Sequence, residues 1–98
     1  MGRLDGKVAV LTGAGSGIAR AAAQMFTREG AKVVIADVDQ KAGEELAQQL
    51  VSQNMTAMFS QLDVTSEADW AATVKAAVDA YGKVDCLVNN AGISGSAA

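Results

Sequence analysis

The sequence predicts an α/β fold in which four strands of a doubly wound parallel sheet alternate with three helices. Four short apolar runs, three intervening stretches of helical length, and a glycine or polar residue after each run all indicate this class. Right-handed crossovers then place the first strand in the middle and predict the strand order 3-2-1-4. The 98 residues are enough for one domain with a modest core.

Composition narrows the possible functions. The formal net charge is -3, so nucleic acid and anionic membrane surfaces are disfavoured as partners. The chain has no histidine and one cysteine, and its carboxylates show no ligand spacing, so neither a His-based triad nor a metal site is predicted. Because no apolar run is long enough for a membrane span or a signal peptide, we expect a cytoplasmic protein.

The first strand, residues 8–11, leads into a glycine-rich turn at residues 13–17 and then into a helix at Ile18. Such a turn lets the backbone come close to a phosphate, and the helix start offers unpaired N–H groups to the anion. A Walker A loop is excluded because the turn has no lysine. A strict Gly-x-Gly-x-x-Gly pattern starting at Gly15 also fails, since Arg20 occupies its third position.

The first helix is expected to bury one face and to end at Gly30. The predicted inward residues are Ile18, Ala22, Met25 and Phe26. A second strand at residues 32–36 ends at Asp37, where a carboxylate is placed to accept hydrogen bonds from a ribose 2′-hydroxyl. Asp37 could instead cap the next helix, but Asp39 can do that alone.

The second helix, residues 40–51, is expected to be weakened by Gly43. Its predicted inward residues are Leu46, Ala47, Leu50 and Val51. A third strand at residues 56–62 leads to Asp63 and Val64, which are candidates either for ligand binding or for ordinary strand-end chemistry. Ser66 and Asp69 then have the spacing of a capping box in which Asp replaces Glu.

The third helix shows the clearest period and stops at Gly82. Its predicted packing residues are Trp70, Val74, Ala77, Val78 and Tyr81. The fourth strand, residues 84–88, contains Cys86, for which we expect a small buried thiol. Asn89-Asn90-Ala91-Gly92 follows, and residues 93–98 form a small-residue tail with no periodicity.

Two motifs resemble the short-chain dehydrogenase/reductase family. These are Thr12-Gly13-x-x-x-Gly17-Ile18 and the tetrad from Asn89 to Gly92, with Ala19 departing from the family's usual glycine. The resemblance covers essentially the whole chain but only the N-terminal part of the family's Rossmann-like fold. It implies an incomplete NAD(P)-binding domain whose cofactor-binding residues are Gly13, Ser16, Gly17, Ile18, Asp37, Asp63, Val64, Asn90, Ala91 and Gly92. In the family, the pair matching Asp63 and Val64 holds the adenine ring, and the tetrad borders a ribose.

The family's catalytic serine and Tyr-x-x-x-Lys pair have no match here, so no catalytic residue is predicted and the chain is expected to be inactive alone. The one tyrosine, Tyr81, is followed four residues later by Asp85, whose carboxylate would raise the tyrosine's pKa. The sequence therefore predicts the truncated cofactor-binding part of an oxidoreductase that exchanges hydride between NAD and an alcohol or ketone. It leaves open whether the chain is itself an enzyme.

Two alternatives remain beside this interpretation. The chain could be a stand-alone dinucleotide-binding or interaction module without catalysis. A methyltransferase-like domain that binds S-adenosylmethionine would share the glycine turn and the acidic residue after the second strand. That second alternative explains neither the Thr12-Gly13 spacing nor the tetrad that begins at Asn89.

Cofactor preference and self-association can also be predicted. NAD is expected to be preferred over NADP because Asp37 would repel a 2′-phosphate, and because Ser16 stands where NADP-dependent members of the family often carry Arg or Lys. Two helices should cover one face of the sheet and only the third the other. The fourth strand would then keep an open edge and an open apolar face, through which we expect self-association.

Overall fold

A four-stranded parallel sheet forms the centre of the computed structural model, which describes residues 2–13 and 17–89. Its strand order is β3-β2-β1-β4, which confirms the predicted fold class and winding. The strands are β1 (Val8–Thr12), β2 (Lys32–Asp37), β3 (Ala57–Gln61) and β4 (Cys86–Asn89), and the helices are α1 (Gly17–Arg28), α2 (Gln40–Ser52) and α3 (Glu67–Tyr81). No helix in these described ranges has both the length and the apolar character that crossing a membrane requires.

The two faces of the sheet carry separate cores. Side chains at alternate positions of β1 and β2 point to opposite faces, so each strand contributes to both. Ala9, Leu11, Val33 and Ile35 pack with buried residues of α1 and α2, whereas Val10, Val34 and Ala36 pack with Ala77 of α3. Burial on both faces explains why these strands are apolar at nearly every position.

Helix α1 rests on the sheet through small side chains. Its buried residues are Ala19, Ala23 and Thr27, with Ala22 and Phe26 half-buried beside them. The predicted inward positions of Ile18 and Met25 are wrong, because these side chains are 56% and 57% exposed. Small residues four apart let the helix axis approach the sheet closely, which turns the larger side chains outward. The left-handed Gly30 (φ 97°) follows the helix end as predicted.

Helix α2 buries Leu46, Ala47 and Leu50 as predicted, but Val51 is exposed and its predicted inward position is wrong. Gly43 is buried, and a methyl group added to it would overlap the ring of Phe59 on β3. The glycine that lowers the helix propensity of α2 therefore makes room for an aromatic side chain between helix and sheet.

Helix α3 has a narrower buried face than its sequence period indicates. Thr73 and Ala77 are buried, and Trp70 and Tyr81 pack against the core at its margin, which confirms the packing role of these two aromatic residues. The predicted inward positions of two further residues, Val74 and Val78, are wrong, since both are exposed. These two valines lie beside the stripe that faces the sheet, and the described part of the chain places nothing over them.

Strand β4 lies at the edge of the sheet. Asp85 ties its start to β1, since its N–H donates to Val8 O (2.8 Å) and its carboxylate accepts the Val8 N–H (2.9 Å). The prediction that Cys86 is buried is wrong, because its side chain is exposed, and Leu87 is 54% exposed. Within the described residues, the helices pack mainly on β1, β2 and β3, so β4 lacks cover.

Candidate functional site

A cavity of about 200 Å³ opens at the carboxyl ends of the first three strands. The residues that line it are Gly13, Ala36, Asp37, Val38, Leu62, Asp63 and Val64. The structure thus brings together four of the predicted site residues from three separate chain segments. In open parallel sheets of this kind, ligands usually bind in a crevice at the carboxyl ends of the strands.

Gly13 forms one side of the cavity by leaving β1 in a left-handed conformation (φ 75°) that favours glycine. Its N–H donates to Ala36 O (3.1 Å), which holds the start of the turn against the end of β2. Gly17 and Ile18 begin α1 and are both exposed. Gly17 has no positive φ, and an added methyl group there would meet no described atom within 4 Å. Neither backbone strain nor packing within the described chain therefore explains a glycine at this position.

Asp37 stands at the end of β2, half-buried, with a carboxylate oriented by the following turn. Its Oδ1 accepts the N–H of Asp39 at 2.9 Å. The capping of α2 belongs to Asp39, whose side chain accepts the Ala42 N–H at 3.1 Å. Asp37 is therefore not the cap of α2, and its carboxylate borders the cavity.

Asp63 also lines the cavity, from the exposed segment that follows β3. Its Oδ1 accepts from both the hydroxyl (2.6 Å) and the N–H (2.9 Å) of Thr65. These two hydrogen bonds, the hydroxyl first, lower the pKa of the Asp63 carboxyl below its usual range. The group is therefore an anion at neutral pH, and its Oδ2 has no hydrogen-bond partner among residues 2–13 and 17–89. It can accept a hydrogen bond from a ligand.

Thr12 links the two strands that flank the point of reversal, a role that the sequence motifs did not reveal. It is completely buried, and its hydroxyl donates to Asn89 Oδ1 at 2.8 Å. The bond ties the end of β4 to the start of the glycine turn. The position of Thr12 directly before Gly13 was the available signal.

Sequence reasoning also missed three residues that line the cavity, namely Ala36, Leu62 and Val38. Val38 is 64% exposed and lies between Asp37, which borders the cavity, and Asp39, which caps α2. The available signal for Val38 was an apolar residue between two acidic ones, directly after a predicted strand. Gln61 holds this segment from the neighbouring strand by donating from Nε2 to Val38 O (3.3 Å).

The other predicted site residues are Ser16, Asn90, Ala91 and Gly92, and they lie outside the described residues. Their assignment to the cofactor, like the cofactor roles of the lining residues, stays a prediction.

Tyr81 does not belong to this cavity. Helix α3 runs antiparallel to the strands, so its last residue lies at the amino ends of the strands, on the opposite edge of the sheet. Burial raises the pKa of the Tyr81 phenol. Asp85 was predicted to be the cause, and that was wrong: its carboxylate is engaged by the Val8 N–H and by Lys83 Nζ (3.0 Å).

A larger cavity of about 440 Å³ lies between α2 and β3, lined in part by Ala47, Val51 and Phe59. It is lined by none of the residues that follow the carboxyl ends of the strands, and it brings together none of the predicted site residues. We therefore place the candidate site in the smaller cavity. Among the described side chains, no group of three His, Cys, Asp or Glu residues is arranged to hold a metal ion.

Comparison with known proteins identifies the family. The family model described as "short chain dehydrogenase" matches residues 7–98. The mitochondrial borneol dehydrogenase of Lavandula x intermedia is 50% identical over 94 residues, which are 96% of this chain and 34% of that protein. An uncharacterized oxidoreductase of Thermotoga maritima is 46% identical over 90 residues, 92% of this chain and 35% of its own length.

Solved structures agree with this assignment. A short chain dehydrogenase/reductase from Burkholderia phymatum in complex with NAD superposes with a TM-score of 0.83 at 41% identity, covering 89% of this chain and 31% of that one. The Escherichia coli hydroxysteroid dehydrogenase gives a TM-score of 0.84 at 39% identity, covering 89% and 37%. The chain thus spans about a third of the length of these relatives. With its sheet, its glycine turn and these matches, the chain belongs to the short-chain dehydrogenase/reductase family of oxidoreductases.

Proposed function

We propose that this chain is the NAD-binding part of a short-chain oxidoreductase and that the adenosine end of NAD occupies the cavity between Asp37 and Asp63. The observation that carries the proposal is the make-up of that cavity. Ala36 and Leu62 supply apolar surface, and Asp37 and Asp63 add two carboxylates at the carboxyl ends of two neighbouring strands. Adenosine has the complementary chemistry, with flat apolar ring faces and donor groups on the ribose and on the base.

In this proposal, each site residue binds a different part of the cofactor. Asp37 accepts hydrogen bonds from the ribose hydroxyls, and Asp63 accepts one from the amino group of adenine. No described atom outside its chain neighbours would obstruct the pyrophosphate at Gly17, at the start of α1, where N–H groups point outward. In a complete oxidoreductase of this family, a dinucleotide held by these residues would supply or accept the hydride. The resemblance assigns Ser16 to the cofactor at the position where NADP-dependent members of the family often carry Arg or Lys. It assigns Asn90, Ala91 and Gly92 to the border of a ribose.

A preference for NAD over NADP follows from the charge of Asp37. A 2′-phosphate placed ~4 Å from one carboxylate costs about 4 kcal/mol at an effective dielectric near 20, before salt screening. The hydrogen bonds to the 2′-hydroxyl are lost as well. NAD should therefore bind more tightly by an order of magnitude or more.

A matched pair of variants tests this preference. Asp37→Asn and Asp39→Asn each remove one negative charge, at positions that are two residues apart. The asparagine at position 39 can still cap α2. Titrations followed by Trp70 fluorescence should show that Asp37→Asn reduces the difference in affinity between NAD and NADP. Asp39→Asn should leave most of that difference in place. Equal effects of the two variants would mean that general charge, not contact with the ribose, sets the preference. If the unchanged chain binds neither cofactor, the proposed function itself is wrong.

We further propose that these 98 residues do not catalyse hydride transfer by themselves. The chain has no Tyr-x-x-x-Lys pair, and Tyr81 lies on the wrong edge of the sheet with a raised pKa. A positioned general acid contributes roughly 10²–10⁴-fold to such reactions. NADH oxidation with a panel of ketones should equal the blank. Turnover that disappears in Tyr81→Phe would contradict this proposal.

Self-association through β4 remains part of the proposal. Leu87 and the outer edge of β4 form an exposed apolar margin that can pair with a second copy. Sedimentation at tens of micromolar should show species larger than a monomer, and Leu87→Ser should reduce them. A monodisperse unchanged chain would contradict it.

The expected cytoplasmic location is likewise a proposal, which cell fractionation can test.

A further inference from the structure

One wall of the cavity is held from behind by the first turn of α3. This wall is the segment Asp63–Val64–Thr65, which lies between β3 and the helix. The Asp63 N–H donates to Asp69 Oδ2 at 2.9 Å. The carbonyl of the next residue, Val64, accepts the indole N–H of Trp70 at 2.8 Å. Two consecutive side chains of α3 thus bind backbone groups of two consecutive residues of the wall.

This arrangement differs from the capping box that Ser66 and Asp69 predict. One half is present, since Ser66 Oγ accepts the Asp69 N–H at 3.1 Å. In the other half the Asp69 carboxylate would accept the Ser66 N–H. Instead, Ser66 N–H donates to Asp63 O (2.9 Å), and the carboxylate reaches further back, to the Asp63 N–H. The charged side chain that could have completed the cap is bound to the cavity wall.

The packing of Trp70 against the core fixes the hydrogen bond between its indole and the cavity wall. Its ring is half-buried and packs against the core cluster that includes Leu62 and Ala77. An indole held by packing directs its N–H in one direction, so the position of Val64 O is set by the core. Both Leu62 and Val64 line the cavity. The wall is therefore connected to the sheet on one side and to α3 on the other.

We propose that Asp69 and Trp70 are positioning residues for adenine, an inference that rests on the proposed function. Neither residue lines the cavity. They act through the backbone of Asp63 and Val64, which sets where the Asp63 carboxylate stands. Without these bonds the wall would sample more conformations, and the ligand would have to order it on binding.

Base selectivity distinguishes positioning from simple stability. A carboxylate in the right place accepts a hydrogen bond from the amino group of AMP, whereas IMP has a carbonyl oxygen at that position and is repelled. Loosening the wall weakens this discrimination. Loss of folded protein lowers the apparent affinity for both nucleotides by one factor and leaves their ratio unchanged.

The experiment measures the binding of AMP and IMP to the 98-residue chain by calorimetry or equilibrium dialysis. Asp69→Ala removes the acceptor, and Asp69→Asn removes the same charge but keeps a side-chain oxygen that accepts. Trp70→Phe removes the indole N–H and keeps an aromatic ring. Tyr81→Phe, at the far end of α3, is the matched control.

We expect Asp69→Ala and Trp70→Phe each to weaken AMP binding by about two- to tenfold, the range of a single hydrogen bond, and to lower the AMP to IMP preference. Asp69→Asn should keep most of the AMP affinity and most of the AMP to IMP preference. Tyr81→Phe should change neither the affinity nor the preference.

Three results would overturn the inference. Asp69→Ala and Asp69→Asn could behave alike, or the variants could lose AMP and IMP binding in equal proportion, or AMP binding could be unchanged in Trp70→Phe. If the unchanged chain binds no AMP, the proposed adenosine site is wrong, and the inference fails with it.

Discussion

Strands β1 and β4 are neighbours in the sheet, hydrogen-bonded in parallel, and both have apolar sequences. Every residue of β1 is buried, whereas Cys86, Leu87 and Asn89 of β4 are exposed. The difference does not lie in the strands' own residues. Within the described chain, β1 has a strand on each side and a helix on each face, while β4 lies at the margin of the helix layers.

This contrast separates the formation of a strand from its burial. A run such as Val8–Thr12 or Cys86–Asn89 pairs with its neighbour through backbone bonds whatever covers its side chains. The free energy of burial depends instead on the apolar surface that the helices remove from water. The same kind of side chain should therefore contribute very differently to stability on the two strands.

The largest effect is expected from a matched pair of leucines. Leu11 on β1 is 1% exposed, so Leu11→Ala should reduce the free energy of unfolding by about 2–5 kcal/mol. Leu87→Ala removes the same atoms from an exposed site and should cost less than about 1 kcal/mol. Urea unfolding followed by circular dichroism measures both. Similar losses would mean that β4 is covered in solution, for example by a second copy.

A smaller effect is expected at the other edge strand, β3, which α2 does cover. Gly43→Ala should gain about 1 kcal/mol of helix propensity, yet we expect a net loss, because overpacking against Phe59 costs about 1–3 kcal/mol. The double variant Gly43→Ala with Phe59→Leu relieves the overlap and should be more stable than Phe59→Leu alone. A stabilising Gly43→Ala single variant would show that the Phe59 ring moves at little cost.

The bond that joins β4 to β1 makes stability depend on pH. The Val8 N–H, and then Lys83, hold the pKa of Asp85 below its usual range. The stabilisation is therefore complete above the unfolded pKa of about 3.9 and is lost as the pH falls through the lower folded value. Asp85→Asn keeps an acceptor for Val8 but does not titrate.

Denaturant midpoints between pH 7 and pH 3 test this dependence. The unchanged chain should lose more stability on acidification than Asp85→Asn does. Asp63 titrates in both proteins and cancels in the comparison. Parallel pH profiles would assign the acid dependence to groups other than Asp85.

The smallest effect is expected at Lys75 and Asp79, an exposed pair on α3 at 2.7 Å that is remote from both strands. Asp79 raises the pKa of Lys75, so any contribution is present at neutral pH and is lost only as the pH rises past the unfolded value of about 10.4. Asp79→Asn should leave the urea midpoint at pH 7 within experimental scatter. A clear shift would indicate that the pair belongs to a larger contact.

Much of the candidate site could be predicted from the sequence because its parts follow from local patterns and topology. A glycine or aspartate directly after an apolar run stands at a strand end, and a parallel winding places those ends on one edge. Gly13, Asp37 and Asp63 were identified in this way, and they line one cavity. Val38 and Thr12 were missed because their roles depend on neighbours from other segments, namely the cavity itself and Asn89.

Sequence patterns alone were enough to predict the fold class, the strand order, the cap at Asp39 and the helix end at Gly82. Each of these depends on residues a few positions apart or on general rules of chain crossover. The buried faces of the helices and the hydrogen-bond partner of the Asp69 carboxylate became clear only in the folded chain. The sequence period shows which residues of a helix share a face. The face that turns toward the sheet depends on how closely the helix can approach it. For this reason the small Ala19 and Ala23 face inward and Ile18 does not. Burial and long-range hydrogen bonds depend on partners that are distant in sequence, and those partners meet only when the chain is folded.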